Sequence, residues 1–244
     1  DGAGLAGRGE QVRAEALSLV TETSAESAFV KGAPLRYLAS RGAADVARDA
    51  ALVSRLMNSP AAAGAHISVS VGPVEETHTI TIAATDRTRL LSRLSGAIAL
   101  AGLDILSVDA HKAARGVALD VFTVASATGR PVDASTFSAL ERLTRAALSD
   151  RLETAVRLAE RRRHYRCAVS CPVTVEVRPH GWATEITVTA PDRPGLLHDI
   201  ALAVSDAGMD IGWAKVQTID GVARDILDRK SVVLGKSVYL GGRR

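Results

Sequence analysis

The residues best placed to do chemistry in this sequence are Asp192-Arg-Pro-Gly-Leu-Leu197, at the start of the stretch from Ala190 to Ile211. An Asp followed two residues later by Pro and then Gly suits a turn that opens a helix. The Asp192 carboxylate is expected to accept the orphan amide protons of the first turn. Pro194 has no N–H to lose there. Gly195 has no Cβ, so another group can come close to the backbone. Unpaired amides and the helix dipole at such a turn favour an anion. The same six residues also fit a well-capped surface helix with no ligand.

The elements that position this turn can be read around it. Thr184 to Thr189 (TEITVT) is β-branched and enters the turn as a strand. Leu196, Leu197, Ile200, Ala203 and Val204 recur at helical spacing. Gly208 closes that helix, and Asp210-Ile211 opens the next extended segment. Residues 84–105, ATDRTRLLSRLSGAIALAGLDI, repeat 190–211 without a gap at an offset of 106. Gly116-Val-Ala-Leu-Asp120 then matches Gly221-Val-Ala-Arg-Asp225, one residue having been lost between. Two copies of one small α/β unit are expected from such a repeat.

Residues 1–64 read as helical, with stripes over Gln11–Val20 and Ala43–Met57 and a linker from Asn58 to Gly64. His66–Val71 and Thr77–Ala83 alternate with period two and suit a hairpin. Ser107–His111 and Val117–Ala125 follow as strands. Asp133 or Ser135 caps a helix expected to run to about Arg163. Val173–Val177 then supplies a fourth strand. The order βαββαβ predicts an α+β fold of tandem ferredoxin-like modules preceded by a helical segment. The expected divisions are 1–64 for the helical segment, 65–180 for the first module, 181–227 for the second, and 228–244 for a tail. The second module reads as truncated, because no amphipathic helix follows Asp225-Ile-Leu227. The tail is expected to be foreign to the rest, the product of a truncated or misassembled reading frame.

Composition excludes several function classes. The 244 residues carry a formal charge of +3, 47% hydrophobic and 3% aromatic residues. There is no basic–aromatic interleaving for nucleic acid, and no apolar run of membrane-spanning length. Cys167 and Cys171 fit neither a zinc knuckle nor a disulfide framework and suit buried thiols in a cytoplasmic protein. The one His-Asp dipeptide, His198-Asp199, falls inside the second repeat's helix, with His198 expected on or near the sheet-facing side. The run Arg161-Arg-Arg-His164 with Arg166 reads as a solvated helix end, with an acidic protein surface as the alternative.

With D-R-P-G-L-L at its first strand–helix turn, the repeat resembles the ACT domain, a regulatory module that binds amino acids. The wording APDRPGLLHDIA, the close tandem spacing and the preceding PLRYLASRGAADVARDAALV (Pro34 to Val53) are similar to the bifunctional uridylyltransferase/uridylyl-removing enzymes that modify the PII nitrogen-signalling protein. The resemblance runs from about Pro34 to Leu227. It implies a cytoplasmic region that senses L-glutamine or another small amino acid, with PII as partner of the full-length enzyme. It places the nucleotidyltransferase and hydrolase centres, with their Mg²⁺, outside this chain; no catalytic residue, cofactor or metal site is assigned here. A stand-alone tandem ACT regulator is the alternative, and a biosynthetic enzyme with a different catalytic domain is a third reading.

An amino-acid ligand needs donors for its carboxylate and acceptors for its ammonium. The Gly195 and Leu196 amides suit the first need, and Asp192 and Asp210 suit the second. In ACT pairs the ligand sits where this turn meets the second strand of a partner module, which brings in Ile211, Gly212 and Trp213. The implied ligand residues are therefore Asp192, Pro194, Gly195, Leu196, Asp210 and Ile211. In the first copy Thr88 and Arg89 replace the Pro-Gly pair, so a ligand is not expected there.

Overall fold

The computed structural model describes residues 2–58, 64–113, 116–165, 169–180, 183–209 and 211–230. The chain opens with four helices, α1 (Gly2–Ser18), α2 (Ala25–Gly32), α3 (Leu35–Ser40) and α4 (Ala43–Asn58). Ser24 caps α2 by accepting the Ser27 N–H at 3.1 Å, and Pro34 stands immediately before α3, where its fixed φ suits a helix start. Val30, Leu38, Val46 and Leu56 pack with Ala83, Val117 and Leu119 of the first sheet, so the helical segment covers that sheet's outer face. Inside this layer the buried Tyr37 hydroxyl donates to Asp49 at 2.7 Å, and Arg41 holds the same carboxylate at 2.8 Å.

Two four-stranded antiparallel sheets follow. The first comprises β1 (Ala65–Val71), β2 (His78–Thr85), β3 (Leu103–Lys112) and β4 (Val117–Ser126), in spatial order β1-β2-β4-β3. The second comprises β5 (Thr174–His180), β6 (Ala183–Pro191), β7 (Ile211–Ile219) and β8 (Val222–Lys230), in the equivalent order β5-β6-β8-β7. Helix α5 (Leu90–Leu100) lies on the first sheet and α8 (Leu196–Asp206) on the second. Helices α6 (Ala134–Leu148) and α7 (Thr154–Arg162) connect the modules. The α+β tandem architecture is as the repeat predicts.

Three features differ from the sequence reading. Val173–Val177 does not complete the first module, because β5 pairs with β6 from Thr174↔Thr189 to His180↔Ala183. The first sheet takes its edge strand from β1 instead, through the tight connection in which the Gly72 N–H donates to the Thr77 carbonyl at 2.9 Å. A neighbouring hairpin closes a much shorter loop than a strand returning from beyond two helices. The element order within the first unit is thus ββαββα, while the spatial order of strands is that of a split βαβ sandwich. The helix begun at Asp133, which accepts the Thr136 N–H at 3.0 Å, stops at Leu148 rather than near Arg163. Asp150 takes a positive φ of 55° after it, and α7 starts afresh at Thr154. Finally, Asp228 to Lys230 belong to β8, paired with Glu185, Thr184 and Ala183. The short strands expected over 231–234 and 237–240 lie outside the described residues.

The second module has no second helix among the described residues. In the first, α6 sends Leu140 and Leu148 into the core beside Ile80 and Ile82. In the second, Val173, Val175 and Val177 are 60–66% exposed on the corresponding side.

The modules meet along a pseudo-twofold axis. Strands β3 and β7 run beside each other, and α5 packs on α8. Ser92 and His198, which occupy equivalent positions 106 residues apart, meet across it: His198 Nδ1 is 2.8 Å from the Ser92 carbonyl oxygen and 3.0 Å from its Oγ. His198 therefore lies in the helix–helix seam rather than against its own sheet, and Gly96 gives it room, since a Cβ there would stand 2.9 Å from Nδ1.

Candidate functional site

The second repeat's turn is held by its own backbone. The Asp192 N–H donates to the Gly221 carbonyl at 2.9 Å, and the Leu196 N–H to the Arg193 carbonyl at 3.0 Å. The Leu196 amide is thus already engaged in the turn. Asp192 does not cap α8. Its Oδ1 accepts the Arg193 N–H at 2.8 Å, one residue on, because α8 begins only at Leu196. Gly195 stands in the left-handed region (φ 74°), and the room it leaves is filled by protein: an added Cβ would meet Leu158 Cδ1 of α7 at 2.6 Å. Arg89, its counterpart, adopts the same conformation (φ 64°) despite its side chain.

Helix α7 straps this turn. Arg162 donates from Nε to the Pro194 carbonyl at 2.8 Å and from Nη2 to that of Gly195 at 3.1 Å, and pairs with Asp199 at 2.9 Å. Arg161 donates to the Ala99 and Leu100 carbonyls at the C-terminus of α5. The basic run is therefore no solvated helix end at these two positions; it satisfies carbonyls of both modules.

Beside the turn lies a cleft of about 510 Å³ including its open mouth, between the second repeat's turn and the start of β3. Asp192, Pro194, Gly195 and Leu196 line it together. Ile211 does not; it lines the equivalent cleft of the first repeat with Asp86, Arg87 and Arg89. The pseudo-twofold axis exchanges the partners, so that Ile105, not Ile211, faces the second turn. Asp210 lies outside the described residues, as does the side chain of Trp213.

Three further groups complete the cleft, Asp104 on β3, Asp225 on β8 and Arg161 on α7. Asp225 is 1% exposed and neither of its carboxylate oxygens has a hydrogen-bond partner. Burial, reinforced by the Asp192 charge, pushes its pKa up to about 7. Burial raises Asp104 and Asp192 as well; Arg161 opposes the shift at Asp104, and the Arg193 amide, the Thr218 hydroxyl and the Arg193 charge oppose it at Asp192. The cleft is thus acidic at its buried end and carries Arg161 and Arg193 among its lining. Sequence reasoning passed over Asp225, yet a signal existed. Ala223, Asp225 and Leu227 alternate as the inward positions of β8, and an acid among them is out of place unless it meets a partner.

No family model matches the chain. Curated proteins do. Over 160 residues it is 34% identical to the bifunctional uridylyltransferase/uridylyl-removing enzyme of Azospirillum brasilense, covering 63% of this chain and 17% of that protein. Its counterpart from Rhodospirillum rubrum is 32% identical over 68% of this chain and 18% of its own length, and that from Caulobacter vibrioides 32% identical over 68% and 18%. The chain is related to that enzyme. It spans less than a fifth of the length of these curated relatives.

Among the described residues, no three His, Cys, Asp or Glu side chains are grouped so as to hold a metal ion. No described helix is long and apolar enough to cross a membrane.

Proposed function

We propose that this chain is the regulatory ACT-domain pair of a bifunctional uridylyltransferase/uridylyl-removing enzyme, sensing L-glutamine or another small amino acid in the cytoplasm. The full-length enzyme modifies the PII protein, with the chemistry and its Mg²⁺ in domains outside this chain. The observation that carries the reading is the cleft between the second turn and β3. Its buried end offers carboxylates to an ammonium, and Arg161 and Arg193 offer positive charge to a carboxylate. Asp192, Pro194, Gly195 and Leu196 form the turn side of the site. A ligand there touches both modules, so it favours whichever arrangement of the pair it binds best. That preference biases uridylylation against uridylyl removal.

The test is a thermal melt with and without L-glutamine, with L-glutamate and L-serine as controls. Ligand at 100 times its Kd adds about 2.7 kcal/mol, which raises Tm by roughly 5–10 °C for a chain of this size. A shift specific to glutamine is the expected result. A cooperative melt that no amino acid moves would refute the reading.

A further inference from the structure

The two clefts are built alike and differ at one telling position. In the first, Lys112 at the end of β3 pairs with Asp86 at 3.0 Å and shares the cleft lining with the buried Asp120. Asp86 and Asp120 are the counterparts of Asp192 and Asp225 in the repeat. Adding the offset of 106 to Lys112 gives Thr218, near the end of β7. The strand registers agree, since Lys112 pairs with Ala118 as Thr218 pairs with Ala223. The Thr218 hydroxyl acts on Asp192 where the Lys112 ammonium acts on Asp86. The same acidic corner therefore carries a covalently attached ammonium in one module and only a hydroxyl in the other.

The consequence falls on Asp225, 99% shielded from solvent, lining the cleft and unpartnered at both oxygens. A buried carboxylate without a partner is costly, and an ammonium is the group that relieves it. We infer that the second cleft binds its ligand's ammonium against Asp225 and Asp192, in the position that the Lys112 ammonium holds in the first cleft, so that the first module carries its own internal substitute for a ligand. The inference rests on the amino-acid-binding reading above and specifies how that ligand is oriented. It makes Thr218 the residue that keeps the second cleft receptive. It also gives the first cleft a reason to take no ligand beyond the bulk of Arg89, which is itself drawn away to Asp206 at 2.6 Å.

The test uses the whole chain and the variants Thr218→Lys and Thr218→Met, which match in bulk and differ in charge. Without ligand at pH 8, Thr218→Lys is expected to melt above Thr218→Met, and the difference is expected to narrow when Asp225→Asn is added to both, the remainder being the pairing with Asp192 that corresponds to Lys112 with Asp86. Calorimetric titration with L-glutamine is expected to give at least about a tenfold weaker Kd for Thr218→Lys, since a charged hydrogen-bonded position is already filled. Equal melting of the two variants, or unchanged glutamine binding by Thr218→Lys, would overturn the inference. In the second case the sensor reading stands and only the ammonium's place is lost. If wild type binds no amino acid while the Asp225-dependent melting difference is present, the sensor reading fails and the acid–ammonium corner holds. Should Thr218→Lys not fold, the amine-free analogue 4-carbamoylbutyrate decides. Wild type is expected to prefer L-glutamine to it by at least about tenfold, and equal binding would overturn the proposal.

Discussion

Asp225→Asn is expected to flatten the pH dependence of stability. In the folded chain this carboxyl titrates at about 7, against 3.8 when unperturbed. The folded state therefore holds a proton that the unfolded state releases, and stability falls as pH rises between the two values. The loss starts near pH 4, where the unfolded carboxyl ionises, and levels off above pH 7, where the folded one has ionised too. From pH 5 to pH 8 the linkage relation gives a decline of about 2.5 kcal/mol for a shift of this size. For a chain of this length that is a fall in Tm of roughly 5–10 °C.

Asp120 titrates in the same window for the same cause, burial first and the Asp86 charge second, so wild-type slope alone does not isolate Asp225. The comparison with Asp225→Asn does, because every other group is common to both proteins. The groups around Asp225 are Asp192 and Arg193 on the turn, Asp104 on β3, Arg161 on α7 and His198 on α8. Urea denaturation at pH 5, 6, 7 and 8 is the assay, read as the difference in slope between the two proteins. The absolute stability of the variant is immaterial, since an amide in that pocket has its own unsatisfied needs. Parallel profiles across the range would refute the claim that Asp225 is buried as a protonated acid.

Two further outcomes follow from packing. Gly195→Ala forces a side chain into the left-handed region and against Leu158 Cδ1 at 2.6 Å, so it is expected to cost about 2 kcal/mol or more by urea denaturation and to raise hydrogen exchange in α7; a neutral substitution would show that α7 does not press on the turn. Tyr37→Phe removes the 2.7 Å hydrogen bond to Asp49 but leaves Arg41 on the same carboxylate, so a loss of about 1–2 kcal/mol is expected in the same assay.

How much of this was legible beforehand depends on how local the deciding physics is. The turn around Gly195 could be found because its residues form a contiguous, repeated string, and both copies keep one left-handed backbone position even though Arg89 occupies it in the first. Strand β5 could not be assigned to a module in that way. Val173 to Val177 alternates equally well beside either sheet, and only the competition with β1 for the edge next to β2 settles the pairing. Nor could Arg161 and Arg162 be placed. Apart from the Arg162–Asp199 pair, their partners are main-chain carbonyls at Ala99, Leu100, Pro194 and Gly195, which leave no mark on the sequence.

Ile211 lines the first cleft rather than the second for a different reason. In a pair related by a twofold axis each turn meets the other module's strand, which puts Ile105 and Asp104 at the second cleft and Ile211 at the first. The offset of 106 that exposes the repeat also generates that exchange, once the copies are set face to face. The same operation converts Lys112 into Thr218. A repeat therefore carries more about a site than either copy does alone: matched positions such as Asp120 and Asp225 define the shared architecture, and a mismatch at a polar position inside it, Lys112 against Thr218, marks where the charge facing those acids differs between the copies.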